Sequence, residues 1–201
     1  MNDTELAQKR QVARDVLITY GIDPDAVIPS IGFGSVSEIA QAQQEKRIGL
    51  GANYHTGTWN YLANAPEKRI DWWLAAVPWL LAGLSILLAI TQGRKLYAAV
   101  AFGILIINSI SKRYAEVGNA IGGIGIMGAV IVAFNGHWDW AGIIVTVAIA
   151  AFCGRARIMW YSEIIVARAL LNDSIFAMLF ATEKVNMREN STGKRIYYKR
   201  D

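Results

Sequence analysis

The sequence predicts an all-α, polytopic membrane protein with about four transmembrane helices and cytoplasmic or interfacial helices at both ends. Three observations predict it. Charged residues make up only 18% of the 201, against roughly 25% in soluble domains. The shortage is local. Residues 72–153 carry four Lys/Arg and two acids, whereas residues 1–71 carry seven and nine, and residues 154–201 nine and five. Four apolar runs, free of charge except for Asp139 at the start of the fourth, fill the depleted stretch, separated by short charged or aromatic connections. The division that follows is an N-terminal helical region (1–71), a four-span membrane domain (72–154), and an apolar helix with a basic tail (155–201). Composition excludes collagen and whole-chain disorder. The single cysteine, Cys153, excludes a disulfide framework.

Taken in order, residues 4–20 read as an amphipathic helix. Leu6, Ala13, Val16, Leu17 and Tyr20 share a face, and Gly21 ends it. Asp23-Pro24 can open a further turn. Ser35-Val36-Ser37-Glu38 is a capping-box pattern that predicts a helix over 36–48, closed by Gly49 and Gly51. Residues 52–66 read as loop, and no internal repeat is visible.

The four runs are 72–90, 96–110, 118–134 and 138–153. A spanning helix needs roughly 20 apolar residues. The first run meets that, with Pro78 as a kink site; the other three fall short and read as short or re-entrant helices. Four crossings would place Lys68, Arg69, Lys112, Arg113, Arg155 and Arg157 on one side and Arg94 and Lys95 on the other. Six against two predicts both termini in the cytoplasm, in a bacterial inner membrane. The polar, acidic start has no signal-peptide character. Residues 158–182 are apolar but interrupted by Glu163, Arg168 and Asp173, candidate buried charges on a helix that should pack against the N-terminal helices or another subunit.

Gly118, Gly122, Gly125 and Ala129 lie on one helical face and read as a helix-packing stripe. No catalytic set is evident. His55 and His137 fall on opposite sides of the expected membrane, Cys153 has no histidine close in sequence, and Gly122-Gly123-Ile124-Gly125 lacks the strand and the Lys-Ser/Thr of a phosphate loop. The expectation is a non-enzymatic inner-membrane subunit of a larger assembly, with a secretion or conjugative transfer machine as the concrete example. The alternative is a small oligomeric channel or transporter with the third helix near the pore. Expected partners are the lipid bilayer and other membrane subunits, a second copy of the chain included; no direct nucleic-acid contact, cofactor or metal is expected.

Overall fold

The computed structural model describes residues 3–93, 95–113 and 115–198, with the side chains of 95, 111–113, 115–123 and 138 left out of the description. The chain forms two compact units, Met1–Ala65 with Tyr161–Asp201 (unit 1) and Pro66–Trp160 (unit 2).

Unit 1 begins with α1 (Asp3–Thr19). Gly21, at φ +68°, ends it: its amide and that of Ile22 return to Ile18 and Leu17 carbonyls, a left-handed closure that costs glycine nothing. A short turn, α2 (Val27–Ser30), leads to α3 (Val36–Gln44). The Ser35 hydroxyl caps α3 by accepting the Glu38 amide at 3.4 Å, while Glu38 accepts the Gly34 amide at 2.7 Å. Next come β1 (Ile48–Ala52) and α4 (Thr56–Leu62), the latter capped by His55 Nδ1, which accepts the Thr58 amide.

After unit 2 the chain returns through the end of α8 (Trp138–Ala169) to α9 (Asp173–Ala181), β2 (Val185–Glu189) and β3 (Arg195–Ile196). The sheet is antiparallel in the order β1-β2-β3. The expected helix over 158–182 is therefore two helices. Asn172 separates them by accepting the Ser174 and Ile175 amides. Phe176, Ile175, Leu179 and the rest of α9 from Ser174 to Phe180 are buried, packed against α1 and α2.

The two halves of unit 1 repeat one motif. A capped helix (α3 or α9) leads into a left-handed residue (Lys46 at φ 57°, Glu183 at φ 58°), a strand (β1 or β2) and an asparagine (Asn53 or Asn190). Each element of the second copy lies 137 positions after its counterpart. The bonds between copies are reciprocal. Asn53 Nδ2 donates to the Glu183 carbonyl at 2.9 Å and Asn190 Nδ2 to the Lys46 carbonyl at 2.8 Å. The Asn53 amide donates to Lys184 and the Asn190 amide to Arg47, both at 2.9 Å. A non-glycine left-handed residue costs of order 1 kcal/mol or more, and each is held by the other copy's asparagine. Over positions 35–53 and 172–190 only Ser37/Ser174, Ala40/Ala177 and Asn53/Asn190 are identical, which is why the repeat is invisible in sequence.

Unit 2 contains α5 (Ala65–Gln92), which runs through Pro78, α6 (Lys95–Arg113), α7 (Ala115–Phe134) and α8 as far as Trp160. Ala82, Val100, Ala101, Ile104 and Ala150 form its core. A fork of Arg157 Nε and Nη2 onto the Asp71 carboxylate, at 2.7 and 3.0 Å, ties α8 to α5. Many large apolar side chains point outward, Phe134 at 89% exposure and Ile90, Ile124 and Phe102 among them.

Two expectations are corrected. The chain is not all-α, because residues placed in a helix end, a loop and a tail pair as a sheet. Nor is it a four-span bundle. Among the described residues, only Ala65–Gln92 and Asp139–Ala169 are long and apolar enough to cross a membrane by length and composition, and just 17% and 28% of their most apolar windows are buried. Among the described residues, the apolar stretches within α6 and α7, Leu96–Ile110 and Ile124–Phe134, are shorter than such a span.

The functional expectations built on four spans fall with them. These are the inner-membrane subunit of a secretion or transfer machine, the channel alternative, the bilayer and membrane-subunit partners, and the topology with cytoplasmic termini. The six-to-two charge count required four crossings. Two long apolar helices are weak ground for it, since the core helices of non-membrane proteins meet the same test. Unit 1, moreover, is a compact helical and sheet structure with its own core.

Candidate recognition site at the sheet edge

The repeat gives the β1–β2 ladder two equivalent outer edges, and the fold treats them differently. Antiparallel alternation turns the main-chain groups of Ile48, Leu50 and Ala52 away from β2, and those of Val185, Met187 and Glu189 away from β1. At the β1 edge, side chains of α8 reach the last amide of the strand and one just beyond it. Ser162 Oγ accepts the Ala52 amide and Tyr161 Oη accepts the His55 amide, both at 3.0 Å. Tyr161 is fully buried between Tyr54 and Trp59, with ring centroids at 4.7 and 5.5 Å. Burial pushes its phenol upward, against the hydrogen bonds of His55 and Thr58.

The β2 edge is covered only by β3. Its two residues pair with Met187 and Arg188, and the ladder stops there. The hairpin is set by the 190–193 loop: Gly193 sits at φ +69° and its amide donates to the Glu189 carbonyl at 2.9 Å, as expected of a short loop with a left-handed glycine. Beyond Ile196 the chain leaves the sheet, and a gap of about 110 Å³ opens between Val185-Asn186 and Tyr197-Tyr198. Phe180, Met187 and Ile196 supply apolar walls, while Asn53, Glu183, Asn186 and Arg195 bring polar groups to the same gap. Among the described residues, no hydrogen bond reaches the outward main-chain groups of Val185.

The sheet has an inner and an outer face. Leu50, Met187, Val185 and Ile196 alternate toward the core side. On the other face lie Gly49, Gly51, Asn186, Arg188 and Arg195, with Arg188 directly opposite both Gly49 and Arg195. The glycines leave β1 without side chains there. A Cβ at Gly51 would stand 3.1 Å from Asn186 Oδ1, and one at Gly49 3.1 Å from Asn190 Oδ1.

The residues singled out in sequence lie elsewhere. The side chains of Gly118 and Gly122 fall outside the described residues. Gly125 faces α8, where a Cβ would meet that of Ala148 at 3.1 Å, and Ala129 is buried. Glu163 and Asp173 are exposed and Arg168 is half-buried. Asp173 accepts the Val36 amide at 2.8 Å, joining the starts of the two repeated helices. Cys153 is buried. Among the described residues, no three His, Cys, Asp or Glu side chains converge as they would around a metal ion.

The residues that form the edge site were passed over in sequence. The alternation of Val185-Asn186-Met187-Arg188 and the Asn190-Ser191-Thr192-Gly193 turn carried a hairpin signal. No protein-family model matches this chain, no curated protein is significantly similar to it, and no solved structure matches it.

Proposed function

We propose that this chain is a non-catalytic recognition protein whose unit 1 takes a short extended peptide segment at the gap beside β3, where Tyr197-Tyr198 gives way to uncover the buried Val185. The observation that supports the reading is the early end of the β2–β3 ladder. Among the described residues the outward main-chain groups of Val185 have no hydrogen-bond partner, and an apolar-walled gap stands beside them. Strand addition draws affinity from main-chain hydrogen bonds and specificity from pockets for alternate side chains. The gap, at about 110 Å³, is smaller than the roughly 300–1,000 Å³ of small-molecule and cofactor sites. It suits one apolar side chain.

The test uses a fluorescein-labelled peptide of alternating leucine and glutamine. Saturable binding should protect the Val185 amide from hydrogen exchange. Ala181→Phe, which fills the gap from the partly exposed end of α9, should abolish binding while leaving the circular dichroism spectrum unchanged. Absence of binding, or binding that Ala181→Phe leaves intact, would refute the reading.

A further inference from the structure

We infer that the segment taken at this edge is acidic, its carboxylates held by Arg188 and Arg195 on the outer face of the sheet; this inference rests on the edge being a peptide site. The two arginines are cross-strand partners in the β2–β3 register and both are exposed. Among the described residues, neither guanidinium has an ion-pair or side-chain hydrogen-bond partner. Like charges placed directly opposite destabilise an antiparallel pair, so the arrangement works against the hairpin that carries it.

An anion between the two guanidiniums removes that repulsion, and each fork can accept a carboxylate in bidentate fashion. Gly49, opposite Arg188 on the other side, contributes no side chain there, and the side-chain amides of Asn186 and Asn190 lie over Gly51 and Gly49. Arg195 belongs to both features, since it also lines the gap. A segment in strand conformation sends alternate side chains to opposite faces. One apolar residue enters the gap while its neighbours reach the outer face, where the arginines stand. The chemistry that fits is therefore an extended peptide alternating apolar and acidic residues.

The experiment compares fluorescein-labelled peptides of alternating leucine with glutamate, glutamine or lysine, by fluorescence polarisation at low and high salt. The glutamate peptide should bind at least about tenfold more tightly than the glutamine peptide at low salt, with the advantage shrinking as salt rises. Arg188→Gln should erase most of that preference while the glutamine peptide binds as before. Arg188→Glu should turn the preference toward the lysine peptide. Equal binding of the glutamate and glutamine peptides would overturn the acidic assignment and leave the edge site standing; failure of both to bind would remove the edge site itself. Two further results would overturn the inference: a preference that survives Arg188→Gln, or tighter binding of a fluorescein-labelled single-stranded oligonucleotide than of the glutamate peptide.

Discussion

Replacing Arg157 with methionine tests how far unit 2 depends on the forked ion pair between α5 and α8. The guanidinium and the carboxylate of Asp71 meet at 2.7 and 3.0 Å, with the two side chains 19% and 9% exposed. In wild type, desolvation of both groups is offset by two charge-assisted bonds. Arg157→Met keeps most of the side-chain length and removes both bonds, leaving the Asp71 carboxylate buried without this cation. Breaking a buried pair in this way costs about 3–5 kcal/mol, a large share of the roughly 5–15 kcal/mol that holds a typical domain together. The double variant Asp71→Leu/Arg157→Met removes the charges together and should recover most of that loss. Arg157→Lys, which cannot make the fork, should fall between. The assay is urea unfolding followed by tryptophan fluorescence, which reports mainly on unit 2 because six of the seven tryptophans lie there. A cost for Arg157→Met below about 1 kcal/mol, or a double variant no more stable than the single, would refute the argument.

Three other outcomes are expected. Phe176 is fully buried and stacks on Phe180 with ring centroids at 5.6 Å, so Phe176→Ala should cost about 3–5 kcal/mol; Phe134→Ser, at a site 89% exposed, should stay within about 0.5 kcal/mol of wild type, both read by urea unfolding followed by far-ultraviolet circular dichroism. Gly125→Ala should destabilise, because its Cβ would stand 3.1 Å from that of Ala148, while Gly128→Ala, with nothing within 4 Å, should stabilise by up to about 1 kcal/mol through helix propensity; thermal melts of the two variants should shift in opposite directions. Tyr61 donates its hydroxyl to the Lys9 carbonyl, and burial pushes its phenol up to about 12. The folded protein therefore holds that proton after the unfolded chain has begun to lose it near pH 10. The stability is fully present below pH 10 and is lost as pH rises from about 10 to 12. Its upper bound is about 2.7 kcal/mol, and solvent screening at a partly exposed ring should reduce it to roughly half. Denaturant titrations should show a steeper loss over that window in wild type than in Tyr61→Phe.

Local chemistry made several features legible in the sequence. Gly21 as the stop of α1 and Ser35 as the cap of α3 are set by residues within one turn, and they stand where the pattern placed them. All four apolar runs lie in helices. Their surroundings were not legible. A run of 10–17 apolar residues reads alike whether lipid or protein covers it, and counting such runs as crossings produced a topology that the structure overturns.

Tertiary structure decided the sheet and the site. Leu50 pairs with Met187 across most of the chain, and neither strand declares itself alone. Gly49 and Gly51 are poor strand residues by propensity, yet they occupy β1 because its partner supplies the ladder and the Asn186 and Asn190 side chains lie against them. The left-handed closures at Lys46 and Glu183 depend on asparagines from the opposite copy, so no local rule could place them. Arg188 and Arg195 read in sequence as a solvated basic tail; only the β2–β3 register sets them face to face. Short-range rules could write the caps and helices because their partners are a few bonds away along the chain. The edge could not be written that way, since each of its groups acquires meaning from a neighbour brought to it by folding.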